Sequence, residues 1–169
     1  MRDVSIVIPN WNGEKLLPEF LPTVIAAAHR YRDEQGADVE VIVSDDASTD
    51  ASVGWIKENY GGEVRIIERK KNGGVVPTAN EGFRAARYGV VLIFNNDVRV
   101  EPDAIAPLVR HFDDERVFAV CCKAFRLGTE LLDGAGKVGT FTRGFWRVYV
   151  NYDILPTRLP KDAPPLTTF

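Results

Sequence analysis

Cysteine is scarce in this sequence. Only two of its 169 residues are cysteines, and Cys121 and Cys122 are neighbours in an apolar run. This excludes a disulfide framework, so we expect buried thiols in a reducing compartment, with a metal site from Cys122 and a distant histidine as the alternative. The expected location is the cytoplasm, either free or at the inner face of the membrane.

Long apolar runs and an excess of positive charge are also absent. No run approaches the length of a membrane span. The chain enters a strand pattern at Val4, so we expect no signal peptide. A net charge of −3 gives no general affinity for nucleic acid. No Gly-Lys-Ser/Thr phosphate loop occurs and no Gly-x-Gly-x-x-Gly follows the first strand, so ordinary NTPase and dinucleotide folds lose support.

What the sequence does have is a regular alternation of apolar patterns. Five runs are short, rich in valine and isoleucine and nearly continuous, which is typical of parallel strands buried on both faces. They are Val4 to Ile8, Val39 to Val43, Val64 to Ile67, Val90 to Phe94 and Val117 to Cys121. Helical patterns between them cover Leu17 to Ala28, Ala51 to Asn59, Thr78 to Arg87 and Pro102 to Phe112. This order predicts an α/β fold with a mostly parallel central sheet and helices on both faces.

Local signals mark the helices and the domain ends. Pro102 fits the first position of the fourth helix, Thr49 or Asp50 fits the cap of the second, and Pro22 should kink or split the first. We expect an α/β core over residues 1–122. A glycine-rich extension of the same domain would follow over 123–155, irregular with short β pieces, and a proline-rich tail over 156–169. The clearest β piece is Phe145 to Val150.

Polar residues gather where the predicted strands end. They occupy positions 9–13, 44–50, 69–74 and 95–97, after the first four strands in turn. The carboxyl ends of parallel strands share one edge of a sheet, and ligands bind at that edge in open α/β folds. The sequence therefore predicts one ligand site there.

Several side chains at this edge allow both a binding role and a structural one. The Trp11 ring can stack on a nucleobase or pack under a loop. Asp45 and Asp46 can accept hydrogen bonds from a base or a ribose, or form an Asx turn and a helix cap.

The basic run and the last cluster allow similar alternatives. Residues 69–71 can offset phosphate charge, although we expect at least two of the three to be solvated. Residues 72–74 permit close backbone approach or only a flexible turn. Asp97 is the best metal candidate, because a carboxylate with water and two diphosphate oxygens is a common way to hold Mg²⁺ or Mn²⁺.

Four segments resemble the nucleotide-binding part of family 2 glycosyltransferases, which have the GT-A fold. The segment VSIVIPNWNG resembles the family's first strand and Pro-x-aromatic-Asn turn, and VEVIVSDDASTD resembles its second strand and Asp-Asp-x-Ser-Thr-Asp loop. The segment NGGVVPTANEGFRAA is similar to an Asn-x-Gly-x-x-x-Ala-x-Asn stretch, and VVLIFNNDVRVEPDAI to the strand and metal loop that follow. The agreement runs in order over about the first 110 residues.

The resemblance implies transfer of a sugar from a nucleoside diphosphate to an acceptor hydroxyl, with inversion and with Mg²⁺ or Mn²⁺ as cofactor. Asn95 replaces the first acid of the family's Asp-x-Asp-like motif, so Asp97 would hold the metal with a weaker grip. Asp46 would face the base, and Asp45 would support the loop. The expected nucleotide-binding residues are Pro9, Asn10, Trp11, Asn12, Asp45, Asp46, Gly74 and Asn96.

The resemblance also suggests the partners. The Pro-Asn-Trp-Asn-Gly turn is seen among transferases of rhamnose and other surface sugars, so we prefer a UDP- or dTDP-sugar as donor. A saccharide or lipid-linked acceptor in polysaccharide biosynthesis is expected, with no nucleic acid and no membrane span. The sequence does not reveal the oligomeric state.

One part of the family pattern is missing. The family places its general base in a C-terminal segment with a Gly-Gly-Phe-like stretch and a Glu-Asp pair, and neither follows Cys122. We therefore expect the donor half of a longer or truncated enzyme, without an assigned catalytic residue. The alternative is a non-catalytic nucleotide-sugar-binding module of the same fold. A sugar-1-phosphate nucleotidyltransferase ranks below both, because PNWNGEK has one glycine and no arginine.

Overall fold

The computed structural model describes residues 2–129, 138–143 and 145–149. The chain divides into two compact units, Met1–Val117 and Phe118–Phe169. The first unit contains every residue that the sequence places at the ligand site.

A four-stranded sheet forms the centre of the first unit. Its strands are β1 (Val4–Asn10), β2 (Val39–Asp45), β3 (Val64–Glu68) and β4 (Val90–Ile93). They lie in the order β3-β2-β1-β4, and each is parallel to its neighbours. The structure thus confirms the first four predicted strands and the parallel sheet.

Helices connect the strands, as predicted. They are α1 (Leu17–Gln35), α2 (Ser52–Tyr60), α3 (Val75–Ala85) and α4 (Ile105–Val109), and a 3₁₀ turn over Arg110–Asp113 extends the last. Helix α3 starts three residues earlier than predicted, since Pro77 is tolerated in a first turn. Pro102 lies in the turn before α4, so its predicted place at the first helical position is wrong.

The first helix is continuous through Pro22, so the predicted split does not occur. Proline removes only the one bond that its N–H would have made to the carbonyl of Pro18. Leu21 and Val24 on either side are each 2% exposed, and their burial in the core offsets that loss.

Successive side chains of β1 point to opposite faces of the sheet, and helices cover both. Val4, Ile6 and Ile8 belong to the main core, which contains buried residues of α1, α2 and α4. Val7 faces α3 instead, and a Cβ added at Gly82 would lie 2.4 Å from Cγ1 of Val7. The close approach of α3 to the sheet therefore depends on the missing side chain of Gly82.

Pro9 lies inside β1, although the strand was predicted to end at Ile8. The pairing of β1 with β4 ends at Val7 and Ile93, where the N–H of Phe94 donates to the carbonyl of Val7 at 3.1 Å. Backbone groups alternate between the two neighbours of a strand, so the nitrogen of Pro9 is on the side of β4. Proline is tolerated here because that neighbouring strand has already ended.

The predicted fifth strand is wrong. Residues 117–124 have no regular secondary structure, and Phe118 is 97% exposed. The thiols of Cys121 and Cys122 are free as expected, but they are exposed rather than buried. An apolar run predicts burial, but it does not supply the neighbouring strand that burial in a sheet requires.

The second unit contains an antiparallel hairpin. Its strands are β5 (Val138–Thr142) and β6 (Phe145–Tyr149), which agrees with the predicted β piece up to residue 149. Val150 and the expected tail over 156–169 lie outside the described residues, and the predicted domain boundaries stay a prediction. No helix in the described part of the chain is both long and apolar enough to cross a bilayer.

Replacing Gly82 with alanine is expected to lower the free energy of unfolding by about 1–3 kcal/mol, because the new methyl group overpacks against Val7. Gly54→Ala in α2 is the matched control, since nothing lies within 4 Å of a Cβ there. The same exchange at that open helical site should raise stability by about 0.5–1 kcal/mol. Urea unfolding of both variants measures the difference, and equal stabilisation of the two would contradict the close contact.

Candidate functional site

A cleft of about 410 Å³ opens at the carboxyl edge of the sheet. It is lined by the ends of β1 and β2, the start of α3 with the loop before it, and the loop after β4. The lining residues are Pro9, Asn10, Trp11, Asp46, Asn72, Gly74, Val75, Thr78, Asn95, Asn96 and Asp97. All the predicted site residues line this cleft except Asn12 and Asp45, whose polar groups bond to neighbouring loops.

Asp45 holds the turn after β2. The residue is 2% exposed, and its carboxylate accepts hydrogen bonds from the N–H and hydroxyl of Ser48, at 2.8 and 2.6 Å. The amide Nδ2 of Asn10 donates to the same carboxylate at 2.8 Å. These bonds match the structural alternative considered for Asp45.

Asn12 joins the loops after β1 and β2. Its N–H donates to Oγ of Ser48 at 2.8 Å, and its Oδ1 accepts from the N–H of Thr49 at 2.9 Å. The backbone of Asn12 has a φ of 49°, a left-handed conformation that asparagine tolerates better than most residues. Asn12 therefore ties two walls of the site together.

The N-cap of α2 is Ala51, which makes no side-chain cap hydrogen bond, so the predicted cap at Thr49 or Asp50 is wrong. Asp50 lies just before it and binds the first helical residue. Its Oδ1 accepts from the N–H of Ser52 at 3.0 Å and from its hydroxyl, and its Oδ2 accepts from the N–H of Glu14 at 3.0 Å. Burial raises the pKa of Asp50, but these donors outweigh burial, so the pKa is lowered overall. The carboxylate stays charged and fixes the start of the helix.

Asp46 carries a buried charge on the cleft wall. It is 2% exposed and accepts hydrogen bonds from the N–H groups of Gly73 and Gly74, at 3.0 and 2.7 Å, and from the guanidinium of Arg69. Burial raises the pKa of Asp46, but these hydrogen bonds together outweigh it and lower the pKa. Asp46 therefore holds the loop before α3 through its charge.

Arg69 is the partner of Asp46 that the sequence did not single out from the basic run over residues 69–71. Its side chain is 19% exposed, and its Nε lies 2.6 Å from Oε2 of Glu81 while the guanidinium also binds Asp46. Lys70 and Lys71 are exposed, as expected for solvated residues. The pairing of Asp45 with Glu68 places Asp46 opposite Arg69, so the parallel register contained a signal for this ion pair.

Trp11 and Asp97 both line the cleft and are both exposed. Trp11 is 58% exposed, which excludes the alternative that it packs under a loop. The carboxylate of Asp97 is exposed and makes no hydrogen bond or ion pair with any residue that the structure describes. Both groups are free to contact a bound molecule.

The cleft offers oxygen ligands to a metal ion. Within residues 2–129 and the described hairpin, no three His, Cys, Asp or Glu side chains gather into a metal site. Protein ligation would therefore rest on Asp97, with Asn95 also lining the cleft. Such hard oxygen donors fit Mg²⁺ or Mn²⁺ when a phosphate ligand and water complete the coordination.

Asp46 is expected to make folding stability depend on pH. Its pKa lies below the ordinary value of 3.8, so its stabilising contribution is present above that value and is lost as the pH falls through the folded-state pKa. Asp46→Asn removes this component. In urea unfolding, the stability difference between wild type and variant should be constant above about pH 5 and shrink as the pH falls below about 4, and a difference that stays constant at low pH would contradict the shift.

The sheet order and cleft position define the class of this protein, an α/β protein with a parallel sheet and a cleft at its carboxyl edge. The structure of TarS 1-349 from S. aureus in complex with UDP-GlcNAc shares this architecture. The TM-score is 0.56 and the sequences are 24% identical, over 66% of this chain and 31% of that chain. The likeness confirms the predicted GT-A fold.

The sequence comparisons show the family. Residues 5–151 match the model of glycosyl transferase family 2, and the chain belongs to that family. The succinoglycan biosynthesis protein ExoO of Rhizobium meliloti is 28% identical over 66% of this chain and 30% of its own length. An undecaprenyl-phosphate 4-deoxy-4-formamido-L-arabinose transferase of Pseudomonas fluorescens is 32% identical over 63% of this chain. The match covers 31% of that relative, so the chain spans about a third of either protein.

Proposed function

We propose that the cleft binds a nucleoside diphosphate sugar and serves an inverting transfer of the sugar to an acceptor hydroxyl. The observation that carries this proposal is the placement of an exposed aromatic ring and a free carboxylate on one cleft, in a chain of the glycosyltransferase family. The Trp11 ring offers the base a flat face, beside Pro9. Asp97 offers the diphosphate side of the donor a carboxylate for metal binding.

Asp46 and the loop before α3 form the base side of the site in this proposal. The hydrogen bonds from Gly73, Gly74 and Arg69 keep Asp46 ionised, so it is an acceptor for an N–H of a base. They also hold the backbone of the loop against the cleft, and no side chain at Gly74 blocks the approach of a nucleoside.

Asp97 would hold Mg²⁺ or Mn²⁺ together with oxygens of the donor diphosphate. When bound, such an ion stabilises the charge that develops on the leaving diphosphate. The single carboxylate fits this arrangement, since an ion at Asp97 needs the phosphate oxygens for most of its ligands. Metal affinity should therefore be low without nucleotide.

A second candidate is a donor-binding module without transfer activity of its own. An inverting transferase needs a base close to the acceptor hydroxyl. Among the described residues of the cleft, only Asp46 and Asp97 carry carboxylates, and both have the roles proposed above. This favours a base supplied by another segment or another chain.

The relatives suggest acceptors for the proposed reaction. One relative is a succinoglycan biosynthesis protein and another is an undecaprenyl-phosphate 4-deoxy-4-formamido-L-arabinose transferase, so we infer a saccharide or lipid-linked acceptor. We also infer a cytoplasmic location, which the two free, exposed thiols support.

Calorimetric titration of UDP, dTDP and GDP, with and without Mn²⁺, tests donor binding. We expect one nucleotide to bind more tightly with the metal, and Asp97→Ala to remove that gain while retaining the metal-free affinity. The reason is that Asp97 is the cleft's one carboxylate, among described residues, without a protein partner. If no nucleotide binds under either condition, the proposed donor site is wrong.

Replacing Trp11 with alanine is expected to weaken nucleotide binding with and without metal, since stacking on an aromatic ring contributes about 1–3 kcal/mol per base. Trp11→Phe is the matched control and should retain most of the affinity. Neither exchange should lower the melting temperature strongly, because the side chain is 58% exposed. Unchanged affinity in Trp11→Ala would exclude stacking at this residue.

A further inference from the structure

Asn10 is a buried connector at the end of β1. It is 2% exposed, and its Nδ2 donates to Oδ1 of Asp45 at 2.8 Å and also approaches Oγ of Ser48 at 3.4 Å. Its Oδ1 accepts from Nδ2 of Asn96 at 2.9 Å. With the amide engaged on both sides, Asn10 is placed to hold other residues rather than to bind a ligand directly.

The bond from Asn96 anchors the Asp97 loop, which comprises residues 95–97. Among the described residues, it is the one side-chain hydrogen bond that these three residues make. The nearest backbone anchors are outside the loop, where the N–H of Phe94 donates to Val7 and that of Val100 donates to Oγ1 of Thr23, each at 3.1 Å. The position of Asp97 within this span therefore depends on its neighbour Asn96.

Gly13 keeps the space that this bond occupies. A Cβ at Gly13 would lie 2.2 Å from Oδ1 of Asn10 and 2.9 Å from Nδ2 of Asn96, the two atoms that form the bond. The backbone of Gly13 is fixed separately, since its N–H donates to Oγ of Ser52 at 2.8 Å and its carbonyl accepts from the N–H of Leu17 at 2.9 Å. A methyl group there would therefore push the two amides apart.

We propose that Asn96 is a positioning residue for Asp97, and that Asn10 and Gly13 maintain it. The inference rests on the proposed function. Hydrogen bonds run from Asp45 through Asn10 to Asn96, and so join the end of β2 to the Asp97 loop across β1. This series of hydrogen bonds keeps Asp97 in one arrangement before a metal binds, which reduces the entropic cost of ordering the loop on binding. Its loss lowers the metal-dependent part of nucleotide affinity and spares the metal-free part.

The test compares Asn96→Ala and Gly13→Ala with wild type, and with Gly54→Ala as the matched glycine control. The ligand is whichever of UDP, dTDP and GDP binds best to wild type, titrated with and without Mn²⁺. The Kd without Mn²⁺ divided by the Kd with Mn²⁺ measures the coupling between metal and nucleotide. It should fall about three- to tenfold in the first two variants, the loss expected for one hydrogen bond. It should not change in Gly54→Ala.

Two further readouts separate positioning from general damage. In the double variant Asn96→Ala/Gly13→Ala, the Kd ratio should be no lower than in the more affected single variant, because both exchanges remove the same hydrogen bond. Hydrogen exchange of residues 94–98 in the nucleotide-free chain should be faster in both single variants than in wild type.

The outcomes distinguish this inference from the proposed function. If wild type binds no nucleotide with or without Mn²⁺, both are overturned. If it binds a nucleotide equally well with and without Mn²⁺, the donor site stands, and the metal role of Asp97 and this inference are overturned. If wild type shows metal-dependent binding and Asn96→Ala retains the full Kd ratio, the inference alone is overturned. An equal loss of affinity with and without Mn²⁺ also overturns it, since Asn96 would then contact the nucleotide directly.

Discussion

The buried charge of Asp46 is the constraint on which the cleft depends. A carboxylate that is 2% exposed needs strong donors, because burial without partners disfavours its ionised form. Those donors are Arg69 at the end of β3 and the N–H groups of Gly73 and Gly74 before α3. By requiring them, one side chain at the end of β2 fixes the end of a neighbouring strand, a glycine loop and the start of a helix.

The same edge combines rigid and open parts. Asn10, Asn12 and Asp45 make side-chain hydrogen bonds to one another or to the turn after β2, and these bonds hold the loops that carry Trp11 and Asp46. Trp11 and Asp97 have no such partners among the described residues. The Trp11 ring and the Asp97 carboxylate are thus exposed on loops that hydrogen bonds hold in place, an arrangement typical of preorganised ligand sites.

The sequence predicted the sheet and the edge at which the cleft opens, because both follow from local patterns. Continuous Val and Ile runs specify buried parallel strands, and polar strand ends then share an edge. The different hydrogen-bond partners of the residues at this edge were not predictable in this way. Neighbouring Asp45 and Asp46 look alike in sequence, and only the register with β3 gives Arg69 to one of them. The prediction of a fifth strand from Val117 was wrong for a related reason, since burial in a sheet requires a neighbouring strand, which an apolar run does not identify.

Pro9 has a consequence for the shape of the cleft. Continued pairing between β1 and β4 would need an N–H at position 9 to donate to the carbonyl of Phe94, and proline has none. The pairing of β1 with β4 therefore ends at Val7, and the loop that carries Asp97 cannot extend β4 by pairing with β1. Because Pro9 lacks an N–H, it determines where the pairing of β1 with β4 ends and where the cleft begins.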